Sequence, residues 1–215
     1  MLEDITGKEI KEQFKSNKKL RLIVTVVGGL IVLTIGYFVY KQFIFNPSNE
    51  KSKEAYWPGL NYAVADSADL ALDELRVHKN NYDGKVGGEV AQFVFARQLM
   101  AKGEFKKALA ELEGVDLEDT YASIMAVGLQ ADCYSEMSKY EDAANLYMEA
   151  ANMDENDMTT PMYLMKAGLC AEEVKDFTKA TEIYEQIKSD YSAFASQKTI
   201  DKYITRAKNQ STGNK

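Results

Sequence analysis

Three stretches decide how this chain reads: GEFKKALAEL at 103–112, SKYEDAANLY at 138–147 and KDFTKATEIY at 175–184. Aligned on their turns, each places an aromatic two residues after the turn's start (Phe105, Tyr140, Phe177). A small residue follows three later (Ala108, Ala143, Ala180), and a large one four after that (Leu112, Tyr147, Tyr184). The aromatics are spaced 35 and 37 residues apart, and a fixed period of that size marks a stacked array of helical hairpins. Where two helices cross closely, one contact position must be small, and an aromatic fills the space beside it.

Upstream, Ala96, Ala131 and Gly168 each stand nine residues before the turn aromatic, as the small partners on the facing helices. On these residues the chain resembles the tetratricopeptide repeat family over about 88–190. That resemblance implies an all-α domain, an α-solenoid of about three to four degenerate repeats with a C-terminal capping helix, and the uncharged run at 22–40 adds an N-terminal transmembrane helix. The family's Pro after the second helix is absent, with Thr120, Glu155 and Ser192 in its place. The insertions EGVDLED (113–119) and ENDMTTP (155–161) predict lengthened inter-repeat turns. A weaker unit precedes the three. Ala71 and Leu75 hold its small and large positions, Asp66-Ser67 its turn, and its helices are expected near 48–65 and 68–79, with Trp57-Pro58 early in the first. NNYDGKVGG (80–88) reads as a loop, with GKVGGE (84–89) as an inter-helix hinge. Ala193–Lys208 reads as the solvating end helix that a solenoid needs, and 209–215 as a disordered tail.

Ahead of the repeats, residues Leu22–Tyr40 carry no charge. Nineteen residues at ~1.5 Å each span ~28 Å, close to the ~30 Å hydrocarbon thickness of a bilayer. No small-x-small cleavage site follows the run, and its length exceeds that of a signal-peptide core. Residues 22–45 are therefore expected to be a transmembrane helix, with 1–21 as one tail and 46–208 as the repeat domain. Lys15, Lys18, Lys19 and Arg21 crowd the N-terminal flank, so positive-inside bias places 1–21 in the cytoplasm and 46–215 outside it. Residues 4–15 read as a short interfacial helix, with a Thr6–Glu9 capping box and a stripe of Ile5, Ile10 and Phe14, or equally as a solvated tail. Of the formal net charge of −7, residues 1–21 contribute +2 and residues 22–45 contribute +1, which leaves −10 on 46–215. A domain that acidic argues against nucleic-acid binding.

The search for chemistry returns no catalytic set, cofactor site or metal site. His78 is the one histidine, which removes triads that need a second His and His-rich metal sites; it reads as a surface residue near a helix end. The Asp154, Glu155 and Asp157 run lacks the Gly and distal Glu of a calcium loop. Cys133 and Cys170 occupy equivalent places 37 residues apart in successive first helices. Helix packing keeps such places ~8–10 Å apart, beyond the ~7 Å that a disulfide tolerates, so buried free thiols are expected.

In tetratricopeptide arrays the first helices line a concave groove that holds peptides. By that resemblance the groove positions are Val90, Phe93, Arg97 and Met100; Met125, Asp132, Ser135 and Glu136; and Met162, Met165, Leu169 and Glu172. Four of the nine Met fall in this set, which suits a permissive groove for apolar segments rimmed by acid or, equally, packing between helices. Phe93, Gly128 and Met165 stand where carboxylate-clamp repeats carry asparagine, so that clamp is not expected. A short N-terminus, one membrane helix and degenerate repeats resemble the YfgM-like family of bacterial inner-membrane proteins. The ending DYSAFASQKTIDKYITRA (190–207) is similar to related proteins of Bacteroidetes-like bacteria. The resemblance implies a non-enzymatic periplasmic adaptor whose partners are proteins: SecYEG translocon subunits, periplasmic chaperones or exported clients. It implies no nucleic acid and no small-molecule substrate. The alternative is a structural scaffold of an envelope or cell-division complex.

Overall fold

The computed structural model describes residues 14–213. The Thr6–Glu9 capping box and most of the stripe read at 4–15 lie outside the described residues. The chain divides into two compact units, 1–50 and 51–215.

In the first unit, helix α1 (Lys18–Tyr40) opens on Asn17, whose side chain accepts from the backbone N–H of Lys19 at 3.0 Å and of Leu20 at 3.1 Å. That cap satisfies donors that a helix start leaves orphaned. None of the helix is buried, and its large apolar side chains stand out all round, from Leu22 to Tyr40. Among the described residues this is the one helix long and apolar enough to cross a membrane. A π-type turn follows at Lys41–Phe45, and the Asn46 N–H reaches back to the carbonyl of Lys41. Pro47 explains the slip: it has no N–H, and its ring crowds the carbonyl four residues back.

Helix α2 (Asn46–Ala55) crosses from the first unit into the second. Ten helices follow in the second unit: α3 (Trp57–Val64), α4 (Ala68–Asn81), α5 (Val86–Ala101), α6 (Phe105–Leu112), α7 (Thr120–Glu136), α8 (Tyr140–Asn152), α9 (Thr159–Glu173), α10 (Phe177–Asp190), α11 (Ser192–Lys198) and α12 (Ile200–Gly213). From α3 to α10 each packs chiefly on the next, and α12 closes on α10. This nearest-neighbour order is the signature of a solenoid, and no strand occurs among the described residues.

The turns inside the hairpins share one construction. Asp66, Gly103, Ser138 and Lys175 all adopt left-handed backbone, with φ of 55°, 75°, 58° and 63°. In each, the next residue's N–H bonds a carbonyl five residues back: Ser67 to Tyr62, Glu104 to Leu99, Lys139 to Tyr134 and Asp176 to Ala171, at 2.8–2.9 Å. That bond satisfies a carbonyl at the helix C-terminus, and Gly is the residue that adopts this conformation at least cost. Only Gly103 announces it in the sequence.

The repeat anchors all face inward. Ala108, Ala143 and Ala180 are fully buried, and Leu112, Tyr147 and Tyr184 are at most 3% exposed. Gly128 admits an aromatic of the next repeat, and Gly168 admits one from the second helix of its own. A Cβ at Gly128 would lie 2.3 Å from Tyr163, and one at Gly168 would lie 2.4 Å from Tyr184. The core falls into two clusters. The first runs from Ala71 to Leu112 and takes in Cys133; the second runs from Ile124 to Ala207.

Six local expectations are revised. The first helix of the weak unit is two helices, because Tyr56 forms a turn and Pro58 starts α3 at the one place a helix accepts proline readily. The loop read at 80–88 shrinks to 82–85. Gly87 and Gly88 are the first turn of α5, not a hinge: Gly87 N–H donates to Ser52 Oγ at 3.0 Å, and a Cβ there would sit 1.8 Å from the Ser52 carbonyl oxygen. The end helix is two pieces, broken at Thr199 in left-handed backbone. Its second piece continues to Gly213, so 209–213, read as part of a disordered tail, is helical. His78 is not a surface residue: its side chain is 19% exposed, and Nδ1 is buried with no hydrogen-bond partner among the described residues.

Candidate protein-binding groove

The first helices of the repeats, α5, α7 and α9, carry every position expected to line the groove. Val90, Phe93 and Met100 are half-buried against the first core cluster, while Arg97 is exposed. On α7, Met125 and Glu136 are exposed and Asp132 and Ser135 half-buried. On α9, Met162 and Leu169 are exposed, Met165 packs against the second cluster and Glu172 is half-buried.

Two hollows form among these helices. A hollow of about 490 Å³ brings Met100, Asp132, Ser135 and Glu136 together with Phe105, Tyr147 and Lys166. A larger one, about 840 Å³, gathers Met162 and Met165 with Tyr121, Met158, Phe194 and Tyr203. Lys166 lines both. Val90, Phe93, Arg97, Met125, Leu169 and Glu172 line neither. Tyr121, Met158, Lys166, Phe194 and Tyr203 are lining residues that the repeat register does not find. Phe194 comes from α11, which belongs to no repeat, and Met158 from the lengthened turn between α8 and α9.

The acids expected to rim the groove are largely neutralised from within. Asp132 accepts from the Tyr147 hydroxyl and from Lys166 Nζ at 2.7 Å, and that ammonium lies 5.3 Å over the Tyr147 ring. The arrangement recurs one repeat on. Glu172 accepts from the Tyr184 hydroxyl at 2.8 Å and from Arg206 at 2.9 Å. In both sets the cation follows the acid by 34 residues. That offset is the one sequence signal that could have found Lys166. Burial first, and the bonded carboxylate second, hold the Tyr147 and Tyr184 hydroxyls well above their ordinary range. Tyr163, buried and within the field of Asp132, is pushed up to about 12. None of these phenols ionises near neutral pH, and Tyr147 and Tyr184 act as donors that hold the carboxylates in place.

Both cysteines are buried free thiols. Burial, reinforced by Asp132 and Glu136, pushes the Cys133 thiol up to about 11. Burial also raises Cys170, partly offset by a hydrogen bond with Ser135. A thiol so placed is a packing group, since the thiolate is the nucleophile. Among the described residues no group of His, Cys, Asp or Glu could hold a metal ion.

No family model matches the chain, and no curated protein does. Solved structures do. One is a Podosopora anserina protein described as a kinesin light chain with nearly identical TPR-like repeats. It aligns with a TM-score of 0.60 and 13% identity over 77% of this chain and 89% of its own. A single-substitution form of that protein aligns with the same TM-score and 14% identity, over 77% and 88%. At that identity the likeness speaks to fold: the chain is a tetratricopeptide-like α-solenoid, preceded in sequence by one helix apolar enough to span a membrane.

Proposed function

We propose that this chain is an inner-membrane adaptor, with residues 1–21 in the cytoplasm, 22–45 spanning the bilayer and the repeat domain of 46–208 in the periplasm. There it holds apolar segments of exported or envelope proteins, as an ancillary partner of the SecYEG translocon or of periplasmic chaperones. The reading rests on one observation above others. Methionine and aromatic side chains line two hollows on the first-helix face, while the nearby carboxylates Asp132 and Glu172 are consumed by internal pairs. A surface on which Asp132 and Glu172 are paired internally and whose apolar side chains are adaptable suits varied apolar ligands. The flanking charge bias and the YfgM-like resemblance support the orientation.

The test is photo-cross-linking in living cells from Met100, Met125 and Met165. Many adducts with secretion or envelope-assembly proteins are the expected result. One dominant adduct would favour a fixed scaffold of an envelope or division complex. Absence of any such component would refute the adaptor role.

A further inference from the structure

The larger hollow is closed by elements outside the repeats. Phe194 and Lys198 come from α11, Tyr203 from α12 and Met158 from the α8–α9 turn. Two of its polar lining groups are already engaged. Asn156 caps α9: its Oδ1 accepts from Met158 N–H at 2.9 Å and Thr159 N–H at 2.7 Å, and its Nδ2 donates to Asp154 and Thr159. Lys166 is held by Asp132. Two charges remain. Lys198 is exposed, with its ammonium 5.9 Å over the Phe194 ring, and Asp157 is exposed on the turn. Neither has an ion-pair partner among the described residues.

We infer that this hollow seats a short peptide segment with an apolar centre that carries both a carboxylate and an ammonium group, the carboxylate pairing with Lys198 and the ammonium with Asp157. The inference rests on the adaptor reading and narrows its ligand. An apolar centre fits because the walls are Met and aromatic side chains that repack around varied shapes. The two unspent charges are of opposite sign, so a segment with charge of one sign only leaves one of them unmatched.

The experiment uses the full chain in lipid nanodiscs with ¹³C-methyl methionine. The probe is an acetylated, amidated peptide of glutamate, leucine, phenylalanine, leucine and lysine. A second peptide has lysine in place of the glutamate. The first is expected to shift the methyls of Met158, Met162 and Met165. Lys198→Glu, at an exposed site that leaves the fold intact, should weaken it about five-fold, the scale of an exposed ion pair. The same variant should bind the second peptide better than the unaltered chain does. Shifts confined to Met100 or Met125 would overturn the inference and leave the adaptor reading standing. So would a loss with Lys198→Glu that ignores peptide charge. No shift at any methionine overturns it as well, and the cellular cross-linking then decides the adaptor reading separately.

Discussion

Replacing Asp132 tests whether the inner face is held together by its own acids. Asp132 is the single acceptor for the Tyr147 hydroxyl and for Lys166. Tyr147 is 3% exposed, so Asp132→Ala strands a buried hydroxyl at a cost of ~1–3 kcal/mol. The Lys166–Asp132 side chains are 38% and 26% exposed, and a pair that wet adds no more than ~1 kcal/mol. The expected total is ~1–4 kcal/mol for Asp132→Ala. Asp132→Asn keeps an acceptor and should cost about half that. The decisive quantity is the partition. A double-mutant cycle of Asp132→Ala with Tyr147→Phe should give a coupling of ~1.5–2.5 kcal/mol, and one with Lys166→Met less than ~1 kcal/mol. Urea unfolding of the full chain in detergent micelles, followed by far-ultraviolet circular dichroism, supplies all these values. A Tyr147 coupling below ~0.5 kcal/mol, or a Lys166 coupling larger than that of Tyr147, would refute the reasoning.

Gly168→Ala gains ~1 kcal/mol of helix propensity but sets a methyl 2.4 Å from the fully buried Tyr184 ring. Overpacking of ~1–3 kcal/mol should dominate and lower the melting temperature; an unchanged or raised value would show that the ring can yield. Lys175→Gly, at φ 63°, should stabilise by ~1 kcal/mol in the same titration, by relieving left-handed backbone. Tyr147, Tyr163 and Tyr184 are all raised on folding. Their contribution is therefore fully present below the unfolded phenol value near ~10 and is lost as pH climbs past it, at up to ~4 kcal/mol per pH unit for three groups. Unfolding midpoints flat from pH ~9 to ~11.5 would contradict this. An aromatic disulfide reagent at neutral pH should leave Cys133 and Cys170 unmodified in the native chain and label both once it is denatured; rapid native labelling would contradict their burial.

The repeat anchors were legible because their logic is local. A small residue, a large one and an aromatic at fixed offsets describe a helix crossing without reference to anything distant. The turns were less so: Ser138 and Lys175 take the conformation of Gly103, since the satisfied carbonyls outweigh the local strain. Gly87 and Gly88 misled, since glycine signals equally a loop and a close approach, and only Ser52, 35 residues away, distinguishes the two. Register assigns residues to helices but does not say which of them converge. Met100 and Met165 each line a hollow, whereas Met125 is exposed beside neither. Phe194, Lys198 and Tyr203 were out of reach because they enter from segments that follow no repeat pattern.

The acid–tyrosine–cation clasps are unevenly distributed, and that has a mechanical consequence. One ties α7, α8 and α9; the other ties α9, α10 and α12. In the preceding repeat Leu112 stands where Tyr147 and Tyr184 stand and brings no hydroxyl. Helix α9 contributes to both clasps, through Lys166 and Glu172, so it cannot shift without straining the carboxylate pairs on either side of it.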